Sequence, residues 1–261
     1  MNIKIYLQRL QKLIPHTWLE QIQYLHSSLL LRWIVQNRSQ PLTLNHKSAM
    51  VFSPHQDDET FGCGGMIALK REHGVSVVVA FLTDGQGAGS SQANSQTKIT
   101  HIRKQEAESA LGILGVNPSE IYFLEKPDGT LPHLNEEERQ ETIKQLAELL
   151  KHYKPEEVYV PHRKDCHRDH EATYQLVKSA IAQAGITVEL LQYPIWLFWR
   201  APLFILLKLP DIAAAYYLSI ASVQDKKNRA ISSYCSQIHS LPRGFMQRFS
   251  GSPEIFFKSE P

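Results

Sequence analysis

From Ser48 onward, short apolar runs alternate with stretches whose apolar residues recur every three or four positions. That alternation is the pattern of βα units wrapped around a largely parallel sheet. Five runs read as strands: Ala49 to Ser53, Ser76 to Thr83, Glu120 to Leu124, Glu157 to Val160 and Thr187 to Tyr193. Ile102, Ala107, Ala110, Leu111 and Leu114 predict a helix over 99–114 that stops at Gly115. A second helix is predicted over 136–153, opened by acidic residues that suit the positive end of a helix dipole, and a third over 168–184. The Gly-, Ser- and Gln-rich stretch 84–97 reads as a mobile loop after the second strand, and 36–47 as a polar connector. The expected class is α/β, with a mostly parallel sheet and an N-terminal helical extension.

The flanks carry apolar patterns of their own. Trp18, Ile22, Leu25, Leu29 and Trp33 fall at spacings of three and four, the stripe of an amphipathic helix. Its expected partner is the domain itself or a second subunit; Arg9, Lys12 and Arg32 make an interfacial membrane helix the less favoured reading. The stretch from Ile195 to Leu209 is shorter than the roughly 20 residues a spanning helix needs and contains Arg200, Pro202 and Lys208, so it is not expected to cross a bilayer. Trp196, Phe198 and Trp199 are expected in the core or at a subunit contact, with a place at a pocket mouth or on a membrane as alternatives. The organisation read from these patterns is an extension and linker over 1–47, a main domain over 48–240 and a tail over 241–261.

Composition narrows the class without naming a partner. A chain of 261 residues with 43% hydrophobic content can bury a sizeable core. Its 28 basic and 26 acidic residues leave a net charge of +2, so no summed field favours nucleic acid or an acidic membrane. Cys63, Cys166 and Cys235 are odd in number and unpaired in spacing, which argues against a disulfide framework and for a reducing, cytoplasmic setting. The N-terminus lacks the pattern of a secretory signal.

The chemistry is concentrated in two knots. PHQDDE, residues 54 to 59, follows the apolar run ending at Phe52, and HRDH, residues 167 to 170, follows the run from Val158 to Pro161. Clusters just past the C-terminal ends of two strands can meet where open α/β folds place ligands. With the following helix expected to start near Gly62, His55 and Asp58 lie three apart in the connecting turn and can grip one ion. Imidazole and carboxylate donors suit zinc, whose catalytic sites keep a position open for water. Asp57, left off the metal, can take a proton from the attacking water, while Glu59 reads as a residue that caps or orients. A third protein donor is still needed. His167 and His170 compete for it, and the residues alone leave the choice open. Asp169 can receive the second ring N–H of one of them, with His162 and Asp165 as spare candidates. The competing reading of DDE is an acidic helix cap, which His55 at the strand end argues against. A dinucleotide reading of Gly62, Gly64 and Gly65 lacks the GxGxxG spacing and would set Asp57, Asp58 and Glu59 against a pyrophosphate.

PHQDDETFGCGG, then TDG at 83–85, RKQEA at 103–107, PDGTL at 127–131 and HRDH resemble, in order, the motifs of the PIG-L/LmbE family of zinc-dependent de-N-acetylases. Lys227, Ala230, Tyr234, Ser236 and Gln237 are similar to that family's ending, so the resemblance covers about 48–239. It implies a Rossmann-like three-layer sandwich, a Zn2+ cofactor and removal of an N-acetyl group from a small N-acetylglucosamine-containing substrate. By resemblance His55, Asp58 and His170 are the zinc ligands and Asp57 the general base. His167 stabilises the tetrahedral intermediate, in protonated form, or protonates the leaving amine, and Arg103 and Asp128 contact sugar hydroxyls. The rivals are a non-catalytic sugar-binding descendant and another metal hydrolase, such as a two-metal phosphoesterase. Peripheral membrane contact is not favoured and a homo-oligomer is left open. Gln56 and Arg168 stand where the family commonly has proline; Arg168 is expected to set a cation at the pocket rim that favours a phosphate or carboxylate near the sugar.

Overall fold

Successive residues of a strand point to opposite faces, and the central strands of this chain are apolar at nearly every position, so their sheet must be covered on both sides. The computed structural model describes residues 15–88, 93–251 and 253–258. Among them, helix α1 (His16–Asn37) and strand β1 (Ser39–Pro41) precede β2 (Ala49–Ser53), α2 (Asp58–Glu72), β3 (Val77–Thr83), α3 (Ala93–Leu114), β4 (Ile121–Lys126) and α4 (Glu136–Tyr153). The chain continues through β5 (Glu157–Pro161), α5 (Arg168–Ala184), β6 (Glu189–Tyr193), β7 (Ala215–Leu218), α6 (Gln224–Ser232), α7 (Arg243–Phe249) and β8 (Glu254–Lys258).

The strand residues divide as the period of two requires. Val51, Val77, Val79 and Phe81 bury against α2, α3 and α6, whereas Met50, Phe52, Val78, Ala80 and Leu82 bury against α4 and α5. The result is the expected three-layer α/β sandwich. Its eight strands run in the order β1-β7-β8-β6-β5-β2-β3-β4, and all pairs are parallel except the two made by β8. From β2 the chain moves outward to β3 and β4; β5 then lies on the other side of β2, with Val51 between Val79 and Tyr159. The order therefore reverses between β2 and β5, and the loops leaving their C-terminal ends carry the two knots.

The five expected strands form within a few residues of their expected ends, and helices 136–153 and 168–184 form over the expected ranges. Asn135 caps α4 through a hydrogen bond accepted from the Glu138 N–H, and Gly185 ends α5 in a left-handed conformation. Several boundaries differ. Helix α2 starts at Asp58 rather than near Gly62, so Asp58 belongs to a helical first turn. The stretch read as loop over 84–97 holds a short 3₁₀ turn, Gln86–Ala88, and the start of α3; residues 89–92 lie outside those described. The connector contributes β1, and the stretch read as a tail contributes α7 and β8, which is inserted between β7 and β6. Segments on both sides of the main domain, Ser39–Pro41 and Glu254–Lys258, are thus built into its sheet. Short strands at the chain ends carry too few residues to show a period.

The helical stripe also differs from expectation. Leu30 and Ile34 bury α1 against Phe198, Leu207, Ile212, Ile255 and Phe257, with Trp33 partly buried at the edge, while Trp18, Ile22, Leu25 and Leu29 are exposed. The helix has two apolar faces, and periodicity cannot say which one meets the domain. Of the 195–209 stretch, Phe198 and Trp199 are core residues as expected, Trp196 is only partly buried, and Phe204, Ile205 and Leu209 are exposed. No helix of the described residues is long and apolar enough to cross a membrane.

Candidate metal centre and its cavity

The loop from β2 to α2 is held in an uncommon conformation. Asp57, the residue before the helix, has φ of 133°, a region that costs a non-glycine residue of order 1–3 kcal/mol unless its surroundings enforce it. They do. The Asp57 N–H donates to Glu59 Oε2 at 3.0 Å, the Gln56 side chain donates to the Thr83 carbonyl at 2.7 Å, and Arg103 Nη2 donates to the Gln56 carbonyl at 2.8 Å. Glu59 is itself buried and receives hydrogen bonds from Thr60 Oγ1 and the Tyr234 hydroxyl. Burial raises its carboxyl to about 7, against the pull of those donors. Glu59 thus orients the loop, as its position suggested.

At the C-terminal end of β5, His167 precedes α5 and His170 lies in its first turn. His170 is fully buried, and its Nδ1 stands 2.7 Å from Asp165 Oδ2. The Asp165 carboxylate also accepts the backbone N–H groups of Ile195, Trp196 and Leu197. Asp165, named in the sequence only as a spare candidate, is therefore the group that fixes the His170 ring. Asp169 serves a different histidine from those expected: its Oδ2 lies 3.2 Å from His55 Nε2 and accepts the Gly129 N–H at 2.8 Å. His162 turns away, its Nε2 lying 3.0 Å from the Asp211 carbonyl.

The two loops meet at Asp58. Its Oδ2 stands 3.0 Å from His55 Nδ1 and 3.1 Å from His170 Nε2. His170 Nε2 is buried and, despite that short distance, has no aligned hydrogen-bond partner among the described residues. A buried nitrogen aimed at a carboxylate shared with a second imidazole fits a divalent cation, and nitrogen with oxygen donors fits zinc among them. Other groupings overlap this one: donor atoms of His55, His167 and His170 lie within 4.8 Å of one another, as do those of His55, Asp128 and Asp169.

Electrostatics follows from crowding six carboxylates around three imidazoles. Burial alone would lower His55, but hydrogen bonds with Asp128, Asp169 and Asp58 raise it well above its usual value. His170 is raised to about 9 because Asp58 and Asp165 outweigh burial. Burial would raise Asp58, yet His170 and His55 hold it well below the usual carboxylate range. Asp57 goes the other way, pushed up to about 8 by burial and by the neighbouring Asp58 and Glu59, with Arg103 and His55 opposing. His167 is lowered to about 4 by burial and by His170 and His55.

All of this opens into one cavity of about 330 Å³. His55, Asp57, Asp58, Asp128 and His167 line its polar side, and Phe61, Ile195, Trp196 and Phe245 its apolar side. Arg103 lines it too, with Nη1 donating to the Gly85 carbonyl at 3.1 Å and Nη2 held by Gln56. Asp128 Oδ1 lies 3.1 Å from His55 Nε2, and Oδ2 accepts the Gly87 N–H. Arg168 is exposed and does not line this cavity; the cation on its apolar wall is Arg200, whose guanidinium carbon lies 3.9 Å from the centre of the Trp196 ring. The sequence offered no local signal for Phe245, which reaches the cavity from α7, or for Arg200, which does so only because the chain turns after β6. The ending motif, by contrast, is explained: Tyr234 holds Glu59, Ser236 bonds Glu106, and Gln237 lines the cavity.

Comparison with known proteins agrees with the fold and with the motifs read in the sequence. Residues 50–181, half of the chain, match the family described as PIG-L, GlcNAc-PI de-N-acetylase. A probable N-acetyl-alpha-D-glucosaminyl L-malate deacetylase 2 of Bacillus cereus is 36% identical over 73 residues, 27% of this chain and 33% of that protein, so the match spans about a third of that relative's length. Among solved structures, N,N'-diacetylchitobiose deacetylase of Pyrococcus horikoshii superposes with a TM-score of 0.63 at 22% identity, over 88% of this chain and 90% of that one. GalB, the 4-carboxy-2-hydroxymuconate hydratase of Pseudomonas putida KT2440, superposes equally well, with a TM-score of 0.63 at 26% identity over 82% and 97%.

Proposed function

Because the chain belongs to the PIG-L, GlcNAc-PI de-N-acetylase family, we propose that it is a zinc-dependent hydrolase that removes an N-acetyl group from an N-acetylglucosamine-type substrate. The single observation that carries the reading is the position of Asp58 Oδ2 between His55 Nδ1 and the otherwise unpartnered His170 Nε2, with Asp57 lining the same cavity. A zinc ion held by His55, Asp58 and His170 would polarise the acetamide carbonyl and acidify a water molecule beside it.

The chain's own residues do the rest. Asp57 lines the cavity with Oδ1 3.8 Å from Arg103 Nη2, and in its ionised form, which a cation held by the neighbouring ligands would favour, it takes a proton from the attacking water. His167 lines the same cavity, where in protonated form it stabilises the developing oxyanion or protonates the leaving amine. Arg103 and Asp128 face the sugar from the polar side of the cavity, and Phe61, Trp196 and Phe245 shield the reacting bond from bulk water.

The test is release of primary amine, detected with fluorescamine, from a panel of N-acetylated sugars with zinc supplied. Asp57→Asn should keep the metal and lose about 10²- to 10⁴-fold in kcat, the range for a general base, whereas His170→Ala should lose the metal itself. Metal loss in Asp57→Asn would overturn the division of roles. Two metal ions per chain by elemental analysis would favour a two-metal hydrolase instead. The likeness to a hydratase makes the amine readout decisive, because adding water across a double bond frees no amine.

A further inference from the structure

Helix α1 is apolar on both sides, but the domain covers only one of them. Leu30 and Ile34 are buried, whereas Trp18, Ile22, Leu25 and Leu29 are 67%, 52%, 59% and 67% exposed. At 1.5 Å per residue that outer row runs for about 16 Å along the helix. A loop extends it sideways. The Leu203 N–H donates to His26 Nε2 at 3.2 Å, and His26 Nδ1 lies 3.3 Å from the Phe198 carbonyl, so the loop is pinned next to Leu25 and Leu29. Hydrogen bonds from Leu206 and Leu207 to the Pro202 carbonyl close the loop. At its tip Phe204 has a left-handed backbone, φ 66°, and is 70% exposed, with Ile205 beside it 42% exposed. A bulky residue in that conformation holds an aromatic ring out into solvent at a conformational cost.

Charge decides what fits such a surface. Over the described residues 15–47 and 195–221, five Lys or Arg stand against two Asp or Glu, a net charge of +3, and of the five Lys47 is paired with Glu189. Of the two acids, Asp211 is already paired with Lys164. Arg32, Arg38, Arg200 and Lys208 are exposed. A second copy docking on this row would bring like charge to like charge. An anionic lipid surface is complementary in both respects, apolar in its interior and negative at its headgroups.

We propose that the outer row of α1 and the Pro202–Leu207 loop form a peripheral docking surface for anionic lipid membranes. This reverses the weighting that the sequence alone supported. Trp18 suits the headgroup boundary, where indole rings concentrate. Arg200 stands on the cavity wall only two residues before the loop, so docking brings that wall toward the headgroups. The contact is an interfacial one, since no described helix can span the bilayer.

Sedimentation of the full chain with vesicles tests this directly. The protein should bind vesicles of equimolar phosphatidylcholine and phosphatidylglycerol, and bind about tenfold or more weakly to phosphatidylcholine alone or at high salt. Leu25→Glu combined with Leu29→Glu should weaken binding by about tenfold or more, and Phe204→Asn, which accepts the left-handed backbone, by several-fold. Both should keep wild-type melting temperature and amine release from a water-soluble substrate, which separates lost docking from lost folding. Absence of vesicle binding, wild-type binding by both variants, or a dimer that the Leu25→Glu, Leu29→Glu protein converts to monomer would overturn the proposal.

Discussion

Three acids in a row, Asp57, Asp58 and Glu59, do three different things because their surroundings differ. Asp58 lies between two imidazoles and is held ionised, Asp57 is buried beside like charges and is pushed up, and Glu59 is tied to Tyr234 and Thr60. Asp165 is the least conspicuous member of the site in the sequence and one of the most constrained in space. It holds His170 Nδ1 while three backbone N–H groups hold its carboxylate in turn. Outer-shell partners of a metal-binding histidine typically matter by about 10- to 100-fold in affinity. Asp165→Asn is accordingly expected to weaken zinc binding by that amount, read by competition with a chromophoric chelator, while the fold persists. Unchanged affinity would show that His170 needs no such support.

At the scale of elements, the glycines of GCGG serve packing. A Cβ at Gly62 would come within 2.3 Å of Tyr193 Cδ2, and one at Gly65 within 2.4 Å of Ile220 Cγ2. Tyr193 cannot swing aside freely, because its hydroxyl donates to the Phe52 carbonyl at 2.9 Å on β2. Helix α2 is therefore seated directly on β6, which keeps Asp58 at the end of β2. Gly62→Ala should destabilise the protein by about 1–3 kcal/mol, the usual cost of overpacking, visible as a lower melting temperature, and should weaken metal binding as the helix shifts. The absence of both would mean that α2 has room the packing denies. The positions of β2 to β6 were legible from their apolar runs, as were α4 and α5 from their periods and caps. The start of α2 was not, because Asp57 takes a backbone conformation that only its hydrogen bonds explain.

Across the whole molecule, the segments that flank the main domain are fastened to one sheet. Glu189 on β6 pairs with Lys47, which precedes β2, and with Lys258 on β8. Although burial would raise it, hydrogen bonds from both lysines lower the Glu189 carboxyl below its usual value. A depressed carboxylate contributes stability that is complete above its unfolded value, about 4.3, and that fades as pH falls through the lower folded value. The groups are partly exposed, so the contribution is less than about 1 kcal/mol. Glu189→Gln should lower the melting temperature slightly at pH 7, and the difference from wild type should shrink below the unfolded value, about pH 4.3, and vanish once the pH is below the lower folded value. A difference that persisted in acid would assign the effect to packing.

The sequence alone determined the class of fold, the strands that carry the chemistry and the family, because apolar period and local motif are properties of neighbouring residues. It also brought forward His55, Asp57, Asp58, His167, His170, Arg103 and Asp128, all but His170 of which line one cavity, with His170 buried. What only the tertiary structure decided depends on residues far apart in the chain. Asp165 became the support of His170 because β6 ends beside it, and Arg200 replaced Arg168 on the cavity wall because the chain turns after β6. Strand β8 entered the sheet from what had looked like a tail, and α1 turned its predicted stripe outward. A helix with two apolar faces can bury either, and the choice is made by the surface it meets.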